Sequence, residues 1–236
     1  MKILCIVFSA ALLCSCAPAR DSTRALVRLG PSCAQERLRL TIVGDSLARG
    51  WGASSAKTSF ASLVYAELRR ENPKTTIDNL GTPGATTDEI ATAQVPRIQP
   101  GSCSLVIVIS GANDVQKLYT PGHFRGSYAR LLRKIRAILP RGALVVLGLP
   151  DVSLSPRIPW FLKPTESRLS KDANTSIATA ARAYGAAFVP LYALSREEAS
   201  RSMSLLSRDG IHPNDAGYRL MARAALPAIG NALKSR

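Results

Sequence analysis

Apolar residues fall into short runs that alternate with longer segments of helical period. Residues 38–43 form a branched run stopped by Gly44, which predicts a strand. Phe60, Leu63, Val64 and Leu68 recur at helical spacing and stop before Asn72-Pro73. Residues 76–80 predict a second strand and residues 88–95 a weaker helix. The run SLVIVIS from Ser104 is apolar on both faces, as a central parallel strand should be. Phe124, Tyr128, Leu131, Leu132, Ile135, Ile138 and Leu139 make a helical stripe that ends at Pro140. ALVVLGL from Ala143 is another buried strand, and a loop rich in Pro and aromatic residues, SPRIPWFLKPT, leads from it to a helix over residues 166–184. Residues 186–191 form the last predicted strand. Asn214-Asp215 opens a C-terminal helix, where an acidic residue suits the helix dipole.

This alternation predicts an α/β fold, a parallel sheet with helices on both faces. In such sheets ligands gather beyond the carboxyl ends of the strands. The polar clusters sit at those ends: Gly44-Asp45-Ser46, residues 81–87, residues 111–114 and Asp151, with RDGIHPND preceding the last helix.

Composition narrows the picture. A chain of 236 residues, 46% apolar and 20% charged, suits one α/β domain with a packed core and excludes global disorder. The formal charge of +15 favours anionic surroundings, whether nucleic acid, anionic lipid or acidic polymers. The basic residues are dispersed, however, and their densest stretch, residues 125–141, alternates with the helical stripe. That stretch reads as the solvated face of an amphipathic helix, so nucleic acid is not an expected partner.

The first 19 residues read as a signal peptide. Lys2 precedes an apolar stretch over residues 3–13 that is too short for a transmembrane helix. Leu13-Cys14-Ser15-Cys16 resembles a bacterial lipobox, although Cys14 stands where a small or branched residue is more usual. The resemblance implies that Cys16 becomes a lipidated N-terminus. The alternative is ordinary secretory cleavage after Ala17-Pro18-Ala19. Residues 20–35 read as a linker and residues 36–236 as the domain. The expected location is the periplasmic side of a bacterial envelope, anchored to the membrane by lipid, or otherwise secreted or periplasmic. Cys33 and Cys103 remain as an even pair for an oxidising compartment. Each lies shortly before a predicted strand, so a disulfide would staple two strand ends if those strands are neighbours; otherwise the thiols stay unpaired.

Three readings compete for TIVGDSLARG: an ordinary turn, a phosphate loop, and a loop exposing a nucleophilic serine. A phosphate loop needs Gly, four residues, then Gly-Lys-Ser/Thr. Lys57-Thr58 comes nearest, but Ala56 and Trp51 stand where the glycines must be. The spacing of Gly44, Gly50 and Gly52 also fails a dinucleotide fingerprint. A nucleophile needs a base, an orienting acid and oxyanion donors. The chain has two histidines. His212 lies three residues after Asp209 in DGIHPND, where a carboxylate can hold one imidazole nitrogen while the other faces a serine. His123, in PGHF, has no comparable partner nearby and reads as structural or solvent-exposed.

Gly44-Asp45-Ser46-Leu47, Gly84 in GTPGATT, Gly111-Ala112-Asn113-Asp114 and Asp209-Gly210-Ile211-His212-Pro213 resemble, in order, the four blocks of the SGNH (GDSL) hydrolases. The matches run from residue 44 to residue 213. The resemblance implies Ser46 as nucleophile, His212 as general base and then acid, and Asp209 as the residue orienting His212. It implies an oxyanion hole from the Ser46 and Gly84 backbone N–H groups and the Asn113 side-chain amide. Taken singly, Ser46 also fits a cap, Asn113 an Asx turn, Gly84 a positive-φ hinge and Asp209 a turn cap. Asp45 and Asp114 are assigned no chemical step and are expected to hold their loops by hydrogen bonding.

The implied fold is a three-layer α/β/α sandwich with a five-stranded parallel sheet in flavodoxin-like order. That order makes the first and third strands neighbours and so favours a Cys33–Cys103 bridge. The implied function is a serine esterase or acylhydrolase working through an acyl-enzyme, with no metal and no organic cofactor. The expected substrate is a small-molecule, lipid or carbohydrate ester, and a monomer is expected. An acyltransferase using the same residues, or a non-catalytic envelope binding protein of this fold, remains an alternative. Trp160-Phe161-Leu162 either line an acyl pocket or pack on the core.

Overall fold

The computed structural model describes residues 27–117, 120–201 and 204–234. The expected signal peptide and Cys16 lie outside the described residues. Five strands, β1 (Leu38–Gly44), β2 (Thr76–Asn79), β3 (Cys103–Ile109), β4 (Ala143–Leu147) and β5 (Ala187–Val189), form one sheet in the order β2-β1-β3-β4-β5. Every pairing is parallel. This is the three-layer, flavodoxin-like arrangement that the resemblance implies.

Alternating side chains of the central strands feed two cores. Leu40, Ile42, Leu105, Ile107 and Val145 face one layer, where α3 (Phe60–Glu71) and α9 (Asp215–Lys234) cover the sheet. Val43, Val106, Val108, Leu144 and Val146 face the other, covered by α6 (Pro121–Ile138) and α7 (Lys163–Ala183). β3 is buried at every position because it has neighbours on both edges and helices on both faces. The weak helix expected over residues 88–95 is irregular: α4 (Thr87–Glu89) runs into a π turn at Ile90–Gln94 and a 3-10 turn at Val95–Arg97.

Three expectations change. The segment read as a linker contains α1 (Pro31–Gln35), packed on the domain. Val27 and Cys33 are buried, the Gly30 N–H donates to Leu233 O, and the Asn72 amide donates to Cys33 O. The last strand is shorter than expected, since the chain turns helical at Leu191 and forms α8 (Leu191–Ser200). No side chain caps that helix, so its start carries no polar signal. Finally, Trp160, Phe161 and Leu162 are exposed rather than packed on the core, and they are not among the residues that line the cavity beside Ser46.

The Cys33–Cys103 disulfide is present. It closes the amino ends of the neighbouring β1 and β3, where Leu38 is in register with Cys103.

Candidate active site

The site is built at the carboxyl ends of β1 and β3 and on the loop before α9. Gly44 ends β1 where the chain passes so close to β3 that a Cβ would lie 2.1 Å from Ile109 O. The Gln94 amide clamps the same residue, accepting from Gly44 N and donating to Gly44 O, each at 2.8 Å. Asp45 then caps the next helix, its carboxylate accepting from Leu47 N at 2.9 Å. Ser46 is the first residue of that helix, α2 (Ser46–Arg49), and so stands at a sharp strand-to-helix turn.

The loop carrying His212 is braced from several directions. Ser207 N donates to His212 O and Asn214 N to Leu205 O, and Leu206 bridges Pro213 in antiparallel fashion. The Asn214 side chain caps α9, accepting from Ala216 N and Gly217 N. These contacts aim the imidazole at Ser46, with His212 Nε2 2.9 Å from Ser46 Oγ. On its other side His212 Nδ1 lies 2.7 Å from Asp209 Oδ2. The second Asp209 oxygen accepts from Ser207 Oγ, Ile211 N and His212 N, at 2.8, 2.8 and 2.9 Å. Burial pushes the Asp209 carboxyl up, but the Ile211, His212 and Ser207 donors outweigh it and hold the group far below the usual carboxylate range. Asp209 is therefore an anion at any physiological pH, the state that keeps a proton on His212 Nδ1 and leaves Nε2 free to accept.

Gly84 adopts φ +79°, a left-handed conformation, and a Cβ built there would meet nothing within 4 Å. Asn113 opens toward the same loop, its amide donating to Ala85 O at 3.0 Å. Ser46, His212 and Asp209 are thus joined by hydrogen bonds, and Asn113 is joined to the loop that carries Gly84. Asp45 and Asp114 lie beneath them. Asp114 is buried and accepts from Thr87 N and Thr87 Oγ1, tying the segment after Gly84 to the short helix that follows β3. Burial raises the Asp114 carboxyl, and it raises Asp45 to about 7, with the Asp114 charge adding to the shift and the Leu47 N–H opposing it. His123 stands apart, its Nε2 3.2 Å from Asp88 Oδ2.

A cavity of about 490 Å³ is lined by residues that adjoin Ser46, Asn113 and His212, and the sequence pointed to the wrong part of the proline-rich loop for its lining. Leu47 and Ala112, next to Ser46 and Asn113, form one wall. Gly210, Ile211 and Pro213, which flank His212, form another. Ile158, Leu194 and Leu220 also line it, and the lining is mostly apolar. The proline-rich loop contributes Pro156 to Ile158, while its aromatic residues point elsewhere. Leu194 belongs to the unanticipated α8, which is why the cavity left no continuous signal in the sequence. Among the described residues no group of three or more His, Cys, Asp or Glu side chains comes together to hold a metal ion.

The profile of the GDSL-like Lipase/Acylhydrolase family matches residues 42–220. A GDSL-like esterase of Mycobacterium tuberculosis is 29% identical over 205 residues, covering 84% of this chain and 64% of its own length. The chain thus spans less than two thirds of that relative. Among solved structures, LAE5, an α/β hydrolase from the metagenome of Lake Arreo, superposes with a TM-score of 0.66 at 19% identity, over 86% of this chain and 97% of that one. The acetyl xylan esterase Axe2 of Geobacillus stearothermophilus gives a TM-score of 0.65 at 20% identity, over 82% and 94%. At these identities the two structures speak for the fold.

Proposed function

The chain belongs to the GDSL-like lipase/acylhydrolase family, and on that premise we propose that it is a serine ester hydrolase acting through an acyl-enzyme on Ser46. The observation that carries this reading is the unbroken relay Ser46 Oγ–His212 Nε2 and His212 Nδ1–Asp209 Oδ2, at 2.9 and 2.7 Å. A serine hydroxyl is a weak nucleophile until a neighbouring base takes its proton. His212 takes that proton as Ser46 Oγ attacks the ester carbonyl, and Asp209 stabilises the imidazolium that forms. Negative charge on the carbonyl oxygen is received by the Ser46 and Gly84 backbone N–H groups and by the Asn113 amide, which has a second hydrogen besides the one given to Ala85 O. His212 then protonates the leaving alcohol. Water, activated by the same imidazole, releases the acid and restores Ser46.

The apolar cavity supports an acyl group longer than acetyl as the substrate's acid part, since apolar lining beside the nucleophile rewards buried methylenes. We further place the enzyme outside the cytoplasm, anchored by lipid at Cys16. A disulfide of the kind that persists in oxidising compartments supports export.

The test is hydrolysis of p-nitrophenyl esters by the wild-type chain beside Ser46→Ala. The variant is expected to lose at least 10³-fold in kcat/KM. Undiminished activity in Ser46→Ala removes the mechanism.

A further inference from the structure

Among the described residues five large hydrophobic side chains are exposed: two adjoin His212, and three follow the segment that is hydrogen-bonded to the histidine loop. Trp51 lies 5.5 Å from the His212 ring, centroid to centroid, and Ile211 precedes His212. Trp160, Phe161 and Leu162 belong to the loop that is pinned to the histidine loop. Ser155 Oγ donates to Gly210 O at 2.6 Å, and Arg157 Nε donates to Asp209 O at 2.9 Å. Trp160 is 81% exposed and Phe161 62%. Leaving such rings in water is unfavourable unless something covers them.

Three exposed arginines accompany these side chains. Arg157 and Arg208 are exposed and line the apolar cavity, and exposed Arg49 ends the short helix that Ser46 begins. The neighbouring carboxylates are engaged, Asp209 with His212 and Asp215 with Ser54. Aromatic and aliphatic tips set among cations fit the boundary of a negatively charged bilayer, where rings sit at the headgroup level and cations meet lipid phosphates. A sugar chain fits less well. Trp160 and Phe161 meet edge to face, with 88° between their planes, so they form a wedge rather than a flat stacking platform.

We propose that this surface docks the catalytic face onto an anionic lipid bilayer, Trp160 and Phe161 entering the interface while Arg49, Arg157 and Arg208 meet the headgroups. Docking turns the acyl cavity toward the lipid, so an acyl ester can pass from membrane to site without crossing bulk water. The surface is separate from any N-terminal anchor. It rests on geometry outside the triad, and its test is independent of catalysis.

The chain has two tryptophans, Trp51 and Trp160. The full-length Trp51→Phe chain therefore leaves Trp160 as sole reporter. It is mixed with vesicles of equal parts phosphatidylcholine and phosphatidylglycerol carrying brominated acyl chains. The expected result is a shift of Trp160 emission to shorter wavelength, with quenching that is weak in pure phosphatidylcholine and reversed by 0.5 M salt. Each basic residue removed is expected to cost about fivefold in partitioning, and Phe161→Ala with Leu162→Ala about tenfold or more. The last pair should leave kcat/KM on soluble p-nitrophenyl acetate within about twofold. Ser46→Ala should bind as the parent does, so failure of the catalytic reading and failure of docking are separable. Because quenching requires contact with the acyl chains, a chain tethered only by its N-terminus leaves Trp160 unquenched and overturns the proposal. Emission shifts produced by xylan oligosaccharides instead of vesicles, or by raised protein concentration without lipid, overturn it as well.

Discussion

If the cavity beside Ser46 takes the acyl chain, rate must grow with chain length in a calculable way. Burying one methylene is worth about 0.8 kcal/mol, close to fourfold in kcat/KM. At about 490 Å³ the cavity is within the range of pockets that hold whole small ligands. From acetyl to hexanoyl, four methylenes set a ceiling of about 250-fold if each is fully buried. The perturbation is Ile158→Trp, which fills part of the space from a half-buried lining position outside the two sheet-facing cores. The assay is kcat/KM for p-nitrophenyl acetate, butyrate, hexanoate and octanoate, below their micelle-forming concentrations. The wild type is expected to climb several-fold per two-carbon step and then level off when the cavity is full. Ile158→Trp is expected to flatten that slope while leaving acetate within about twofold. A wild-type preference for acetate, or an equal loss on every ester in Ile158→Trp, refutes the assignment.

Other consequences follow from the same structure. Asn113→Ala removes a proposed oxyanion donor and is expected to lower kcat by about 10²–10³ with little change in KM, measured on the best ester; a loss confined to KM contradicts the role. Replacing both Cys33 and Cys103 by Ala reopens a loop whose ends are 70 residues apart. Chain entropy then predicts a loss of about 4 kcal/mol in urea unfolding at 25 °C, and a loss below about 1 kcal/mol would mean the bond constrains little. Burial raises Asp45 from the ordinary carboxylate range to about 7. The folded protein thus holds a proton that the unfolded chain releases above about pH 4. The resulting stability is complete below that pH and is lost as pH rises through about 7. Asp45→Asn keeps the acceptor for Leu47 N and is expected to remove this fall between pH 4 and 7; parallel urea-midpoint profiles for variant and parent speak against it.

How much of this was legible in the sequence depended on how local each signal is. β3 could be read directly, because a strand buried on both faces is an uninterrupted apolar run. α6 declared itself by its apolar stripe. Ser46, Gly84, Asn113, Asp209 and His212 could be read because each sits in a short fixed setting at the end of a strand or before a helix. α8 was hidden: Pro190 and an apolar start at Leu191 look like a continuing strand, and no side chain caps the helix. The fate of Trp160–Leu162 could not be read either, since an aromatic run looks the same whether it faces a cavity or water. The cavity draws on residues from Leu47 to Met221, so only the folded chain assembles it.

The central claim is covalent chemistry at Ser46. The most direct measurement treats the full chain with a slowly hydrolysed p-nitrophenyl ester, quenches in acid within the first turnover, and reads the intact and peptide masses. The account predicts one acyl group per chain, on the peptide containing Ser46. That adduct should be absent in Ser46→Ala and formed far more slowly in His212→Ala. Ester turnover with no adduct on Ser46, or with the acyl group on another residue, contradicts it.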